Sequence, residues 1–185
     1  MKAILKTSDL KRLIKATAKF ISKDGNKRML QWIQFTFDKE KGTVKAVALD
    51  GYKLSIESAK CFDIDENFTA YIKPYLPVGA RAEVSTISLV DKNCLIDIDG
   101  RIAGFKQPEG DFFNYEKFIA ETDQLPIVKE VFFSKSLIKD ALESVEESID
   151  FGWDLKICMQ LRSGFEPVSI KTNSGVRYVL PCRNK

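Results

Sequence analysis

The sequence predicts an α+β fold in which repeated β-α-β-β-β half-units form antiparallel sheets with helices on one face. Three observations predict it. Apolar residues alternate with period two through many short runs. Helical periodicity follows the opening strand of the first and third stretches, and the order strand, helix, strands returns along the chain. A sheet with one apolar face has to bury it, and helices laid on that face do so.

"MKAILKT" alternates and reads as a strand. Ser8 is placed to cap a following helix, with Asp9 favourable to the dipole in its first turn. Leu10, Leu13, Ile14, Thr17 and Ile21 form one helical stripe, and Lys11, Lys15, Lys19 and Lys23 recur at i+4 beside Arg12 on another face. "DGN" at 24–26 ends that helix. "LQWIQFTF" puts Ile33, Phe35 and Phe37 on one strand face, "KEKG" turns, and "TVKAVAL" runs through Asp50-Gly51 into "YKLSIE". An Asp-Gly pair between alternating apolar residues is a strong hairpin signal.

The second stretch reads as strands "FTAYIKP", "TISLV", "CLIDIDG" and "RIAGFKQ". Pro77 and Gly79 in "YLPVGARAEV" argue against a helix between the first two. "PEGDFFNYEKFI" reads as an exit segment and "AETDQLP" as a linker. The third stretch offers "KEVFFS" as a strand, Ser134 as a cap, and a helix with Leu137, Ile138, Ala141, Leu142 and Val145 in phase. The strands "LKICMQLR", "PVSIKTN" and "VRYVLPC" follow. Residues 1–120 then form a complete domain, 121–129 a linker and 130–185 half a domain. The open sheet edges of such units invite edge-to-edge homo-oligomers.

Composition narrows the function. Of 185 residues, 44% are hydrophobic and 30% charged, an ordinary globular balance. Four scattered cysteines and no histidine argue against a disulfide framework or metal site, and suit a reducing cytoplasm. No apolar run approaches the roughly 18 residues of a membrane span, and "MKAILKTSDLKRL" does not read as a signal peptide. Net charge is only +3, yet residues 1–28 carry nine Lys or Arg against two Asp, while 140–154 carry six acids and no base. No nucleophile–base pair, phosphate loop or paired carboxylates stand out, so no catalytic residue, enzyme activity or cofactor is expected. "DIDG" at 97–100 lacks the later glutamate of a calcium loop.

Several stretches resemble the bacterial DNA polymerase III beta subunit family, the sliding clamps, whose DNA-clamp fold repeats such half-units. "DGYKLSI" resembles the family's T-D-G-x-R-L motif, and "LKRLIKATAKFIS" the helix before it in the middle domain. "GFKQPEGDFFNYEKFI" resembles the end of that domain, with Phe113 in place of a proline. "VFFSKSLIKDALESV" resembles the helix opening the second half of the last domain, and "YVLPCRNK" the C-terminal Y-V-x-M-P-M-R-L. The resemblance implies a DNA sliding-clamp processivity factor lacking the first domain and half of the third. It would tether DNA polymerase, or other proteins bearing clamp-binding motifs, to the backbone of double-stranded DNA, in a ring of several copies.

By that resemblance, a hydrophobic peptide-binding pocket would comprise Leu30, Leu49, Gly51, Tyr52, Leu54, Phe165, Pro167, Val179, Leu180, Pro181 and Cys182. On the residues alone, Leu49, Leu54 and Leu180 read as sheet-core residues and Asp50-Gly51 as only a hairpin. DNA phosphates would meet Lys11, Arg12, Lys15, Lys19, Lys23, Lys27 and Arg28, which alone read equally as a solvated face. Glu143, Glu146, Glu147 and Asp150 on the third helix would oppose DNA, which keeps open a peptide-binding adaptor or decoy that encircles nothing.

Overall fold

A computed structural model describes residues 1–77, 82–126, 132–146, 158–161, 166–172 and 175–181. The side chains of 145 and 146 are outside this description. The first stretch runs β1 (Lys2–Lys6), α1 (Thr7–Ala18), a 3-10 turn (Arg28–Gln31), β2 (Ile33–Asp38), β3 (Thr43–Leu49) and β4 (Lys53–Ile64). The second is β5 (Phe68–Ile72), β6 (Val84–Val90), β7 (Asn93–Ile98) and β8 (Arg101–Lys106), followed by α2 (Tyr115–Asp123). The third comprises α3 (Lys135–Glu146), β9 (Cys158–Gln160), β10 (Val168–Lys171) and β11 (Gly175–Val179). This is the expected α+β architecture.

All strand pairings among these elements are antiparallel, in the order β5-β2-β3-β4-β1-β6-β7-β8. The twelve-residue β4 holds the arrangement together. One of its edges pairs with β3. Along the other, residues 53–57 pair with β11 and residues 61–64 with β1. Between Ile4 and Leu5 the register jumps from Asp63 to Cys61, so Phe62 is the extra residue of a bulge and points outward, 62% exposed. The period-two pattern works as read: Phe35 and Phe37 of β2 enter the core with Ile87 and Ile96, beneath Leu10, Leu13 and Ile14 of α1. The outer edge of β5 is not left bare, because the Gln107 carboxamide accepts from the Tyr71 N–H (2.7 Å) and donates to the Tyr71 carbonyl (2.9 Å).

The elements depart from the local reading in four places. Ser8 is not the cap of α1: β1 runs straight into the helix, and the Thr7 N–H donates to the Glu83 carbonyl at 2.8 Å. The helix stops at Ala18, short of "DGN", because Phe20 turns into the core and the Ser22 N–H pairs with the Leu30 carbonyl (2.7 Å). Lys23 therefore lies beyond the helix. Residues 115–123, read as exit segment and linker, form α2, whose Asn114 side chain caps the Lys117 N–H at 3.0 Å. Ser134 does precede α3, its carbonyl accepting from Ile138, but its hydroxyl bonds the Ser136 hydroxyl. The first half of the strand read in "KEVFFS" and both ends of "LKICMQLR" lie outside the described residues, while residues 132–134 are described and are not strand.

Candidate peptide-binding site

The site is built on the β3–β4 hairpin. The Asp50 carboxylate accepts from the N–H groups of Tyr52 (2.9 Å) and Lys53 (3.1 Å), folding the turn back on itself. Gly51 takes φ +97°, a conformation costly to any residue with a Cβ. Leu49 and Leu54 become cross-strand partners. The second strand wall is β11: Tyr178 pairs with Leu54, Val179 with Lys53, and the Leu180 N–H extends the ladder by donating to the Tyr52 carbonyl at 3.1 Å. The turn and the C-terminal run therefore meet.

Between them lies an apolar cavity of about 160 Å³. Leu30, Leu49, Gly51, Tyr52, Leu54, Pro167 and Leu180 line it, all of them expected. Val179 is instead fully buried in the main core, facing away. Pro181 is half-buried and does not line the cavity, while Phe165 and Cys182 lie outside the described residues. Sequence reasoning missed Lys53, Phe113, Phe118 and Tyr178. Phe113, Phe118 and Tyr178 form an aromatic file, with ring centroids 5.8 and 6.2 Å apart and both contacts edge-to-face. For Phe118 the signal was present: Asn114 as cap, then Tyr115, Phe118, Ile119 and Thr122 at helical spacing.

A buried ion cluster fastens β11 to β4. Glu57 is fully buried and pairs with Arg177, also fully buried, and with Arg12 at 3.0 Å. Arg177 also donates to the Ser144 hydroxyl and carbonyl on α3, each at 3.0 Å. Burial is the dominant influence on the Glu57 carboxyl. It outweighs the two guanidinium groups and raises the group from the ordinary carboxylate range to about 7.

The expected DNA-contacting residues do not form one row. Lys11 and Lys15 lie exposed on α1. Arg12 is turned inward, to Glu57 and to the Ser58 carbonyl (2.7 Å). Lys19 pairs with Glu143 on α3 at 3.0 Å, which holds that carboxyl below its usual range. Lys23 and Arg28 are exposed, and Lys27 reaches across to the hairpin turn. Of the acids expected to oppose DNA, Glu147 and Asp150 lie outside the described residues, as does the Glu146 side chain. Among the described residues no cluster of His, Cys, Asp or Glu could hold a metal ion, and no helix is long and apolar enough to cross a membrane.

No protein-family model matches the sequence, and no curated protein matches it. Solved structures do. The DNA polymerase sliding clamp of Bacillus subtilis superposes with a TM-score of 0.78 at 14% identity, over 100% of this chain and 65% of that one. The DNA polymerase III beta subunit of Thermotoga maritima gives 0.76 at 12%, over 100% and 66%. The beta chain of Streptococcus pneumoniae gives 0.77 at 14%, over 100% and 65%. This chain thus spans about 65% of the length of the clamps it matches. The chain has the fold of the DNA polymerase III beta subunits, the sliding clamps.

Proposed function

We propose that the chain acts as a sliding-clamp-like processivity factor. Its apolar pocket captures short segments of DNA polymerase or of other replication and repair proteins, and homo-oligomeric assembly holds them on the backbone of duplex DNA. The observation that carries this reading is the joint between the Asp-Gly turn and the C-terminal run, which closes an apolar cavity at the surface. A preformed groove of this kind binds an extended peptide with little ordering of the protein itself. Lys11, Lys15, Lys23, Lys27 and Arg28 are the phosphate contacts in this reading, and the complete domain, linker and half-domain its working parts.

A labelled Gln-Leu-x-Leu-Phe-type peptide tests the pocket by fluorescence anisotropy. The parent protein binds, and Leu180→Ala weakens binding about tenfold, as expected for loss of an anchor wall. Absence of binding by the parent protein overturns the reading. One observation favours a second reading, a peptide-binding adaptor that encircles no DNA: Arg12 and Lys19 are both committed to carboxylates. Light scattering across a concentration series, followed by retention on circular against linear duplex DNA, separates the two. A closed oligomer retained on circles supports the clamp, and a monomer at every concentration supports the adaptor.

A further inference from the structure

We propose that two copies of this chain join edge to edge through β8, strand against identical strand, antiparallel about a two-fold axis at Gly104. The inference rests on the homo-oligomeric reading above and names the contact surface and its mate.

β8 ends the strand path, and β7 is its one neighbour among the described residues. Its outward backbone groups follow from the ladder. The Gln107 N–H donates to the Lys92 carbonyl at 2.8 Å, one step past the Asn93–Lys106 pair. Bonded and non-bonded pairs alternate between antiparallel strands. Arg101, Ala103 and Phe105 therefore bond β7, while Ile102, Gly104 and Lys106 turn their N–H and C=O groups to the open edge. Among the described residues these groups have no partner. Neither proline nor bulge interrupts β8, and no side chain covers it as Gln107 covers β5. Ile102 stands 64% exposed beside that edge.

The chain itself shows what such an edge takes. β4, β8 and β11 each close their stretch, and β4 and β8 each follow an Asp-Gly turn. Residues 53–57 of β4 pair with β11, closing strand against closing strand. Among the described residues β8 is the closing strand left without such a mate, and its match is β8 of a second copy. One register engages every outward residue: Gly104 opposite Gly104 of the second copy, with Ile102 opposite Lys106 on either side. Any other antiparallel register leaves at least one of the three unbonded. In this one no like charges face each other, and Gly104 brings no side chain to the axis, where the two backbones meet. A self-complementary edge of this kind makes a closed two-fold contact.

The test is sedimentation of the full chain across a concentration series, in the parent and three variants. The parent self-associates. Gly104→Pro removes an outward N–H, leaves the β7 ladder intact and weakens association about tenfold or more. Ile102→Lys sets like charges opposite each other on both sides of the axis and weakens it about three- to tenfold. Adding Lys106→Glu to Ile102→Lys restores association to about the parent value. Asp97 faces Ile102 from β7 in every variant, so the rescue reports the pairing between positions 102 and 106. Ile102 and Lys106 are exposed, so these two variants decide the matter should Gly104→Pro lose its native circular dichroism. Association that neither Gly104→Pro nor Ile102→Lys weakens overturns this inference and leaves the oligomer to another surface. Weakening without rescue assigns the edge to a different strand and overturns the pairing of β8 with itself. A parent that is monomeric at every concentration overturns this inference and the homo-oligomeric reading together.

Discussion

The Leu180 N–H donates to the Tyr52 carbonyl at 3.1 Å, so the last residue of the β4–β11 ladder is tied to the turn that forms the opposite side of the pocket. Pro181 follows, and the residue before a proline is restricted towards extended backbone. The wall is thus positioned by backbone, and the side chain only surfaces it. Leu180→Ala keeps the N–H, whereas Leu180→Pro removes it. The proline variant is expected to bind peptide about fivefold more weakly than the alanine variant, the worth of one hydrogen bond. Equal affinities would show that this bond does not position the wall.

Gly175 opens β11 opposite Glu57 of β4. A Cβ placed there would sit 2.5 Å from both the Ile56 carbonyl oxygen and the Glu57 carboxylate. The backbone oxygen cannot move without breaking the sheet, and Glu57 is held by two arginines. Gly175→Ala should destabilise the protein by about 1–3 kcal/mol through overpacking. Urea unfolding measures the loss, and unchanged stability would mean that the two strands can separate at no cost.

The strands and the paired hairpin runs were legible because period-two burial is a local property of Phe35, Phe37, Val44 and their neighbours. The meeting of turn and tail was legible only through resemblance, since no local pattern pairs residue 54 with residue 178. Ser8 looked like a cap because caps are read from side chains, yet a carbonyl from Glu83 met the open Thr7 N–H. The aromatic wall was hidden for a different reason. Glycine and proline in "PEGDFF" suggested continuing loop, although the Asn114 cap and the spacing of Tyr115, Phe118 and Thr122 already encoded a helix. Arg12 could not be distinguished from Lys11 on a helical wheel, because its orientation depends on Glu57, forty-five residues away.

Glu57 gives the stability a sign with pH. Its carboxyl titrates near 4.5 when unfolded and is raised to about 7 in the fold. Between those values the folded protein holds a proton that the unfolded chain has released. Stability from this group is therefore full below about 4.5 and lost as pH rises through about 7. The chain has no histidine to obscure the window. The urea midpoint should fall between pH 5 and pH 7, and Glu57→Gln should flatten that fall. A midpoint that rises instead would mean that the two arginines outweigh burial.

Arg12 and Lys11 are sequence neighbours on one basic helix, and the structure gives them different work. Arg12 donates to buried Glu57 and to the Ser58 carbonyl, joining α1 to β4, whereas Lys11 is exposed. Removing charge-assisted bonds to a buried carboxylate costs about 1–3 kcal/mol, while an exposed helix lysine contributes within about 0.5 kcal/mol. Arg12→Ala should lower the urea midpoint and Lys11→Ala should not. DNA binding should divide the other way. If α1 meets phosphates, Lys11→Ala and Lys15→Ala each reduce the salt slope of duplex binding by about one. An undiminished slope in the double variant would remove α1 from the DNA contact and leave the pocket as the working surface of the chain.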